Sequence, residues 1–178
     1  MHTSRYVIGL DPSTTKFGVA CGGEKDGCPR SFVWALPGAD PLFFDRTLSI
    51  AFGSTYELCM ATKATDVFIE SPIIISASST HTMLSLIQLV GAVRAAAARA
   101  SVRTHMVASS TVRKHFIQAG NLKSKDAKRA VIERCRLLGW AVEDDNAADA
   151  TACWSYGISL VAPKWSPRST PLFSGARA

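Results

Sequence analysis

No stretch of the chain reaches the roughly 18 to 20 consecutive apolar residues that a membrane-spanning helix needs. The first residues, Met1 to Tyr6, lack the apolar segment of a secretory signal. Together these absences set the expectation of a soluble cytoplasmic protein. Cysteine is sparse and badly spaced for cross-linking: Cys21, Cys28, Cys59, Cys135 and Cys153 are odd in number and include no Cys-x-x-Cys pair. That pattern argues against a disulfide framework or structural zinc and for reduced, partly buried thiols. Neither an internal repeat nor a dividing linker is visible. Acidic residues are the minority, 14 against 20 Lys and Arg, for a net charge of +6. Such a balance draws polyanions, which makes nucleic acid a natural partner. The cations are also concentrated, since Arg113, Lys114, Lys123, Lys125, Lys128, Arg129, Arg134 and Arg136 share one short stretch.

With 47% hydrophobic and 19% charged residues over 178 positions, the composition is that of one globular domain. Short apolar runs predict strands at 6–10, 17–21 and 31–36, joined by polar or glycine-marked turns in an antiparallel meander. Helical spacing of Leu42, Phe43, Leu48, Ile50, Ala51 and Leu58 predicts a helix over 41–62. A strand over 66–70, an alanine-rich helix over 83–100 and a strand over 102–108 follow. Ser109 and Ser110 are expected to cap a helix ending near Phe116, and Ser124 one that Gly139 stops. A last helix is expected over 146–159. Strands followed by alternating helix and strand predict an α/β domain over residues 1–162, with a mixed sheet flanked by helices. Residues 163–178, rich in proline, serine and arginine, are expected to form a flexible tail.

Three acidic positions are out of keeping with their surroundings. Asp11 and Glu70 each close an apolar strand, where a carboxylate loses hydration unless a cation compensates. Asn146 and Asp149, three residues apart, fall on one face of the last helix, and alanines at 147, 148, 150 and 152 keep that helix slim enough to approach a sheet. Taken singly, each has an ordinary explanation: Asp-Pro is common turn chemistry, Glu70 can be solvated at a strand exit, and Asp144 and Asp145 suit a helix start. Converging, Asp11, Glu70 and Asp149 would form an oxygen-rich centre suited to magnesium or manganese, the equipment of two-ion phosphodiester hydrolysis.

These residues carry a resemblance. Ile8-Gly9-Leu10-Asp11-Pro12-Ser13 with Gly18, then Phe68-Ile69-Glu70, Gln88-Leu89-Val90-Gly91 and Asp145-Asn146-Ala147-Ala148-Asp149-Ala150 resemble, in order, four motifs of the RuvC family of Holliday junction resolvases. The resemblance runs over roughly residues 5 to 160. It implies an RNase H-like fold with a five-stranded mixed sheet, a homodimer, and paired nicking of a four-way DNA junction with Mg2+ or Mn2+, two ions per site. It also implies a setting in recombination and repair, in the cytoplasm of a bacterium or a phage-infected cell. By position, Asp11, Glu70 and Asp149 match the family's metal-binding carboxylates, and Asn146 matches a fourth ligand that is usually Asp or His. An amide oxygen can ligate but cannot act as a base, and Asp145 next door is the alternative. The resemblance further implies that Lys123, Lys125 and Lys128 lie near the scissile phosphate, with Arg113 and Lys114 as further DNA contacts. Ser13 stands where the family has glycine. Ile73 stands where bacterial members have a base-stacking aromatic. These departures resemble the phage and mobile-element branch.

Other residues are expected to be structural. Gln88 and Gly91 serve helix packing or a dimer contact; Trp140, Trp154 and Trp165 anchor the core or surface; His81, His105 and His115 have no ligand spacing. Three other functions compete. Asp11 to Gly18 also resembles the first phosphate loop of actin-like ATPases, although a second glycine-rich loop is absent. An RNase H-like nuclease of the YqgF type would act on RNA with the same chemistry. A junction-binding protein with a decayed centre would keep the basic stretch and tolerate Asn146.

Overall fold

The computed structural model describes residues 4–72, 80–120 and 122–165. Three strands, β1 (Tyr6–Asp11), β2 (Lys16–Gly23) and β3 (Arg30–Ala35), form the expected meander. Helix α1 (Phe44–Thr62) leads to β4 (Asp66–Glu70), which lies parallel to β1. Helix α2 (Thr80–Arg99) then leads to β5 (Arg103–Val107), parallel to β4. The sheet is mixed and five-stranded in the order β3-β2-β1-β4-β5. Helices α3 (Ser109–Ile117), α4 (Ser124–Leu137) and α5 (Asp145–Val161) complete the domain.

Alternation along the strands divides the core into two layers. Ile8, Leu10, Val67 and Ile69 face α1 and α2, where Ala51, Cys59, Leu89, Val93 and Ala97 meet them. Val7 and Phe68 face the other way, toward Val112, Phe116, Val131, Cys153 and Trp154 of α3, α4 and α5. By length and composition α2 could cross a membrane, which run lengths in the sequence had not suggested. Here its apolar edge is spent on the core beneath α1.

Several boundaries moved. Helix α1 begins at Phe44 rather than Pro41, and α2 at Thr80 rather than Met83. Neither Ser109/Ser110 nor Ser124 acts as a cap: the capping positions are Ala108 and Lys123, without side-chain cap bonds. Gly139 does end the fourth helix, adopting a φ of 72° just past Leu138. Where the tail was expected to begin, Pro163–Trp165 form a 3-10 turn with a bond from Trp165 N to Ala162 O, and Lys25 lies over the Trp165 ring. Residues 166–178 lie outside the described residues. All five cysteines are free, with only Cys28 exposed.

Candidate active site

Strand alternation decides which acids can meet. Asp11 lies four residues beyond Val7, and Glu70 two beyond Phe68, so both carboxylates share the α5 face of the sheet. The parallel register pairs Val7 with Asp66 and Leu10 with Ile69. Carried one residue on, it sets Asp11 beside Glu70 on strands about 4.8 Å apart.

Helix α5 brings the third acid. It comes close because the sheet beneath it has no side chains at two points: a methyl on Gly9 would overlap the backbone of Ala150 and Trp154, and one on Gly18 the backbone of Asn146. On the helix side Ala147, Ala148, Ala150 and Ala152 are buried. Asp144 caps the helix, its carboxylate accepting from the backbone N–H of Asn146 and Ala147, each at 3.0 Å. Asp149, just past the first turn, points inward and is 5% exposed.

The three carboxyl groups act on one another. Burial raises the Asp11 carboxyl well above the usual carboxylate range, and the charges of Glu70 and Asp149 push it further. Burial and then Glu70 lift Asp149 to about 6. Glu70 is also raised by burial, which a hydrogen bond from Ser109 and the charges of Arg113 and Lys128 only partly offset. The protein's own cations thus leave the cluster under-compensated.

The two candidates for the fourth position behave differently. Asp145 accepts a hydrogen bond from the Lys128 ammonium, which holds its carboxyl below the usual range and raises the Lys128 amine. Asn146 donates weakly from Nδ2 to Asp144 at 3.4 Å and Asp145 at 3.5 Å, while its amide oxygen accepts no hydrogen bond among the described residues. As the side chains stand, no three His, Cys, Asp or Glu among the described residues are gathered tightly enough to hold an ion. The ligand set expected from the sequence is therefore brought to one region without being closed into a cage. Mutual repulsion among the acids opposes closure. In chemistry the donors fit a hard divalent cation: three carboxylates and one amide, all oxygen, where burial makes their negative charge costly.

The basic stretch separates into parts. Arg113 and Lys128 join the acidic centre, while Lys114, Lys123 and Lys125 are exposed on α3 and around the start of α4. Arg129 and Arg136 are paired within α4 to Asp126 and Glu133. Beside Glu70, a cavity of about 430 Å³ is lined by Ser71, Pro72, Ser109, Ser110 and Arg113, and the buried Arg113 Nε has no hydrogen-bond partner among the described residues. The sequence reading missed Ser109 as a site residue, because a serine at a helix start reads as a cap.

The residues expected to be structural mostly are. Trp140 and Trp154 are buried in the core, and Trp165 sits at the surface. His105 bonds Asp66 at 3.0 Å, His115 lies near Ser155, and His81 is exposed. Of the two roles expected of Gln88 and Gly91, packing against a helix is not seen among the described residues. Both are exposed on α2, and a methyl on Gly91 would meet nothing. Ile73 lies outside the described residues.

The sequence matches no protein-family model, and no curated protein matches it either. Solved structures do match. RuvC from Thermus thermophilus aligns with a TM-score of 0.65 at 19% identity, covering 84% of this chain and 90% of that one. The same protein in complex with a Holliday junction substrate gives 0.64 at 17% identity, with the same coverage of 84% and 90%. The yeast mitochondrial Holliday junction resolvase Ydc2 gives 0.57 at 13% identity over 93% of this chain and 85% of that one. The five-stranded mixed sheet with helices on both faces is thus the RNase H-like fold of the RuvC-type resolvases.

Proposed function

We propose that this protein is a divalent-metal-dependent endonuclease that resolves four-way DNA junctions by hydrolysing phosphodiesters in paired strands. One observation carries the reading: Asp11, Glu70 and Asp149 converge at one end of the sheet, and each carboxyl is raised by burial beyond what the nearby cations offset. Strained acids of this kind mark functional centres. Asp11, Glu70 and Asp149 would hold the ions, with the Asn146 amide oxygen as a neutral fourth donor. A bound Mg2+ or Mn2+ supplies an activated water and stabilises the leaving oxygen. Lys128, released from Asp145, and Arg113 would neutralise the phosphate at the centre. Lys114, Lys123 and Lys125 would bind flanking phosphates, which position DNA without reading its sequence. The likeness to a resolvase solved with its junction supports branched DNA as substrate.

Paired cutting needs two centres. The exposed face of α2, with Leu84 at 51% and Ile87 at 48% exposure beside Gln88 and Gly91, suits a second copy of the chain. Sedimentation should give a dimer that Ile87→Glu disrupts, and a wild-type monomer would count against it.

Labelled four-way junction, linear duplex and structured RNA, each with Mg2+ or Mn2+, test the function. Paired junction nicks that vanish in Asp11→Asn are expected. Cleavage of RNA in preference to the junction would move the protein to RNA processing. Tight junction binding without cutting in either metal would make it a binding protein.

A further inference from the structure

Glu70 has a built-in partner that the carboxylate chemistry does not require. β5 pairs with β4 up to the Glu70–Val107 step, and the backbone N–H of Ser71 donates to Val107 O at 2.8 Å. The chain then turns at Ala108 into α3, whose first residue is Ser109. A serine at the capping position would ordinarily turn its hydroxyl toward the free N–H groups of the helix, and Ser109 lies one residue inside it. Instead Ala108 occupies the capping position in extended conformation, and the Ser109 hydroxyl crosses to β4 and donates to Glu70 Oε1. Ser109 is 4% exposed and Glu70 9%. Helix α3 rests on α5, the helix that carries Asp149, so the hydroxyl is fixed relative to two of the three acids.

We propose that Ser109 is a positioning residue for Glu70, a hydroxyl that engages Oε1 so that Oε2 is the oxygen presented to a divalent ion. This rests on the metal-dependent reading above. Three features support it. The bond consumes one lone pair of one oxygen and no charge, so it aims the carboxylate without neutralising it. An ammonium or guanidinium in its place would compete with the ion, and Arg113, one turn further along α3, lines the neighbouring cavity instead of bonding Glu70. Lastly, a carboxylate free to rotate beside Asp11 and Asp149 would swing away from them, because their charges repel it. Groups that orient a metal ligand from behind typically change affinity by about 10- to 100-fold when removed.

Calorimetric titration of the DNA-free protein with Mn2+ tests this without reference to cleavage. Ser109→Ala should weaken Mn2+ binding by about tenfold or more, and Ser109→Thr, which keeps the hydroxyl, should restore it. In a Glu70→Gln background, Ser109→Ala should cost no further affinity, because its effect travels through Glu70. Urea unfolding of each variant checks the fold, and Ser109→Thr against wild type carries the comparison should the alanine variant not fold. Wild-type Mn2+ affinity in Ser109→Ala, or an equal loss with Glu70 intact and replaced, overturns the proposal while the metal centre stands. A wild-type protein that takes up no Mn2+ overturns the metal-dependent reading itself.

Discussion

The two ends of β4 carry the same chemistry and opposite fates. Asp66 and Glu70, four residues apart, sit on the same face of the same buried strand. Asp66 is fully buried yet answered: Arg103 and His105 each bond it at 3.0 Å, and Arg5 lies at 3.8 Å. Burial alone would raise its carboxyl, but hydrogen bonds from His105, Thr65 and Arg103 more than offset that and hold it below the usual range. Glu70 meets neighbouring acids, a hydroxyl and two cations that only partly compensate its burial, and ends up raised. The chain can satisfy a buried acid on this strand and does so at one end. At the other it keeps its acids short of countercharge, as the proposed metal centre requires.

Substitution at each end should separate the two roles. Glu70→Gln should cut junction cleavage by at least the roughly 10²- to 10³-fold cost of losing one electrostatic stabiliser, with stability unchanged or raised. Asp66→Asn should do the reverse. Urea unfolding should show a loss of about 2–3 kcal/mol, since the stranded cations Arg5 and Arg103 are exposed enough to rehydrate, while cleavage per folded molecule holds. If both variants lost stability and kept activity, the contrast would fail.

Acidity should part the two ends as well. The Asp66 carboxyl is lowered on folding, so its contribution is complete at neutral pH and fades only as pH falls below about 4. Asp149 is raised to about 6, so between about pH 4 and 6 the folded state binds more protons than the unfolded one, and stability declines as pH rises. Metal-free protein should therefore melt higher at pH 5 than at pH 7.5, and Asp149→Asn should remove about 1–1.5 kcal/mol of that difference. Equal melting at both values in wild type would contradict the raised acids.

The smallest effect concerns the paired and unpaired cations. Junction affinity should fall steeply with salt, and Lys125→Ala should reduce the log–log slope by about 1. Arg129→Ala should leave that slope nearly unchanged, because Arg129 already faces Asp126 at 3.1 Å. Filter binding across a salt series would read both.

Much of this was legible in the sequence because periodicity and position carry it. Apolar runs gave the five strands, and Asp11 and Glu70 showed themselves as acids at strand ends. Asp149 was visible because alanines surround it where a polar helix face would have had larger neighbours. Other features were hidden because they depend on contacts between distant segments. Ser109 resembled a cap, and only the pairing of β4 with β5 shows that its hydroxyl belongs to Glu70. The engagement of Asp145 by Lys128, seventeen residues away, was likewise invisible in the sequence, and it bears on the choice between Asp145 and Asn146 as the proposed fourth donor. The ion pairs of Arg129 and Arg136 lay within one helix and could have been read from their i, i+3 acids.

Thermal unfolding with and without a divalent ion tests the under-compensated centre most directly. At pH 7.5, Mn2+ at about 100 times its dissociation constant should add about 2.7 kcal/mol. For a chain of this size that raises Tm by roughly 5–10 °C. Asp66→Asn should show the same increment from a lower starting point, and Glu70→Gln and Asp11→Asn a clearly smaller one. An unchanged wild-type Tm, or an equal rise in all the variants, would contradict the account.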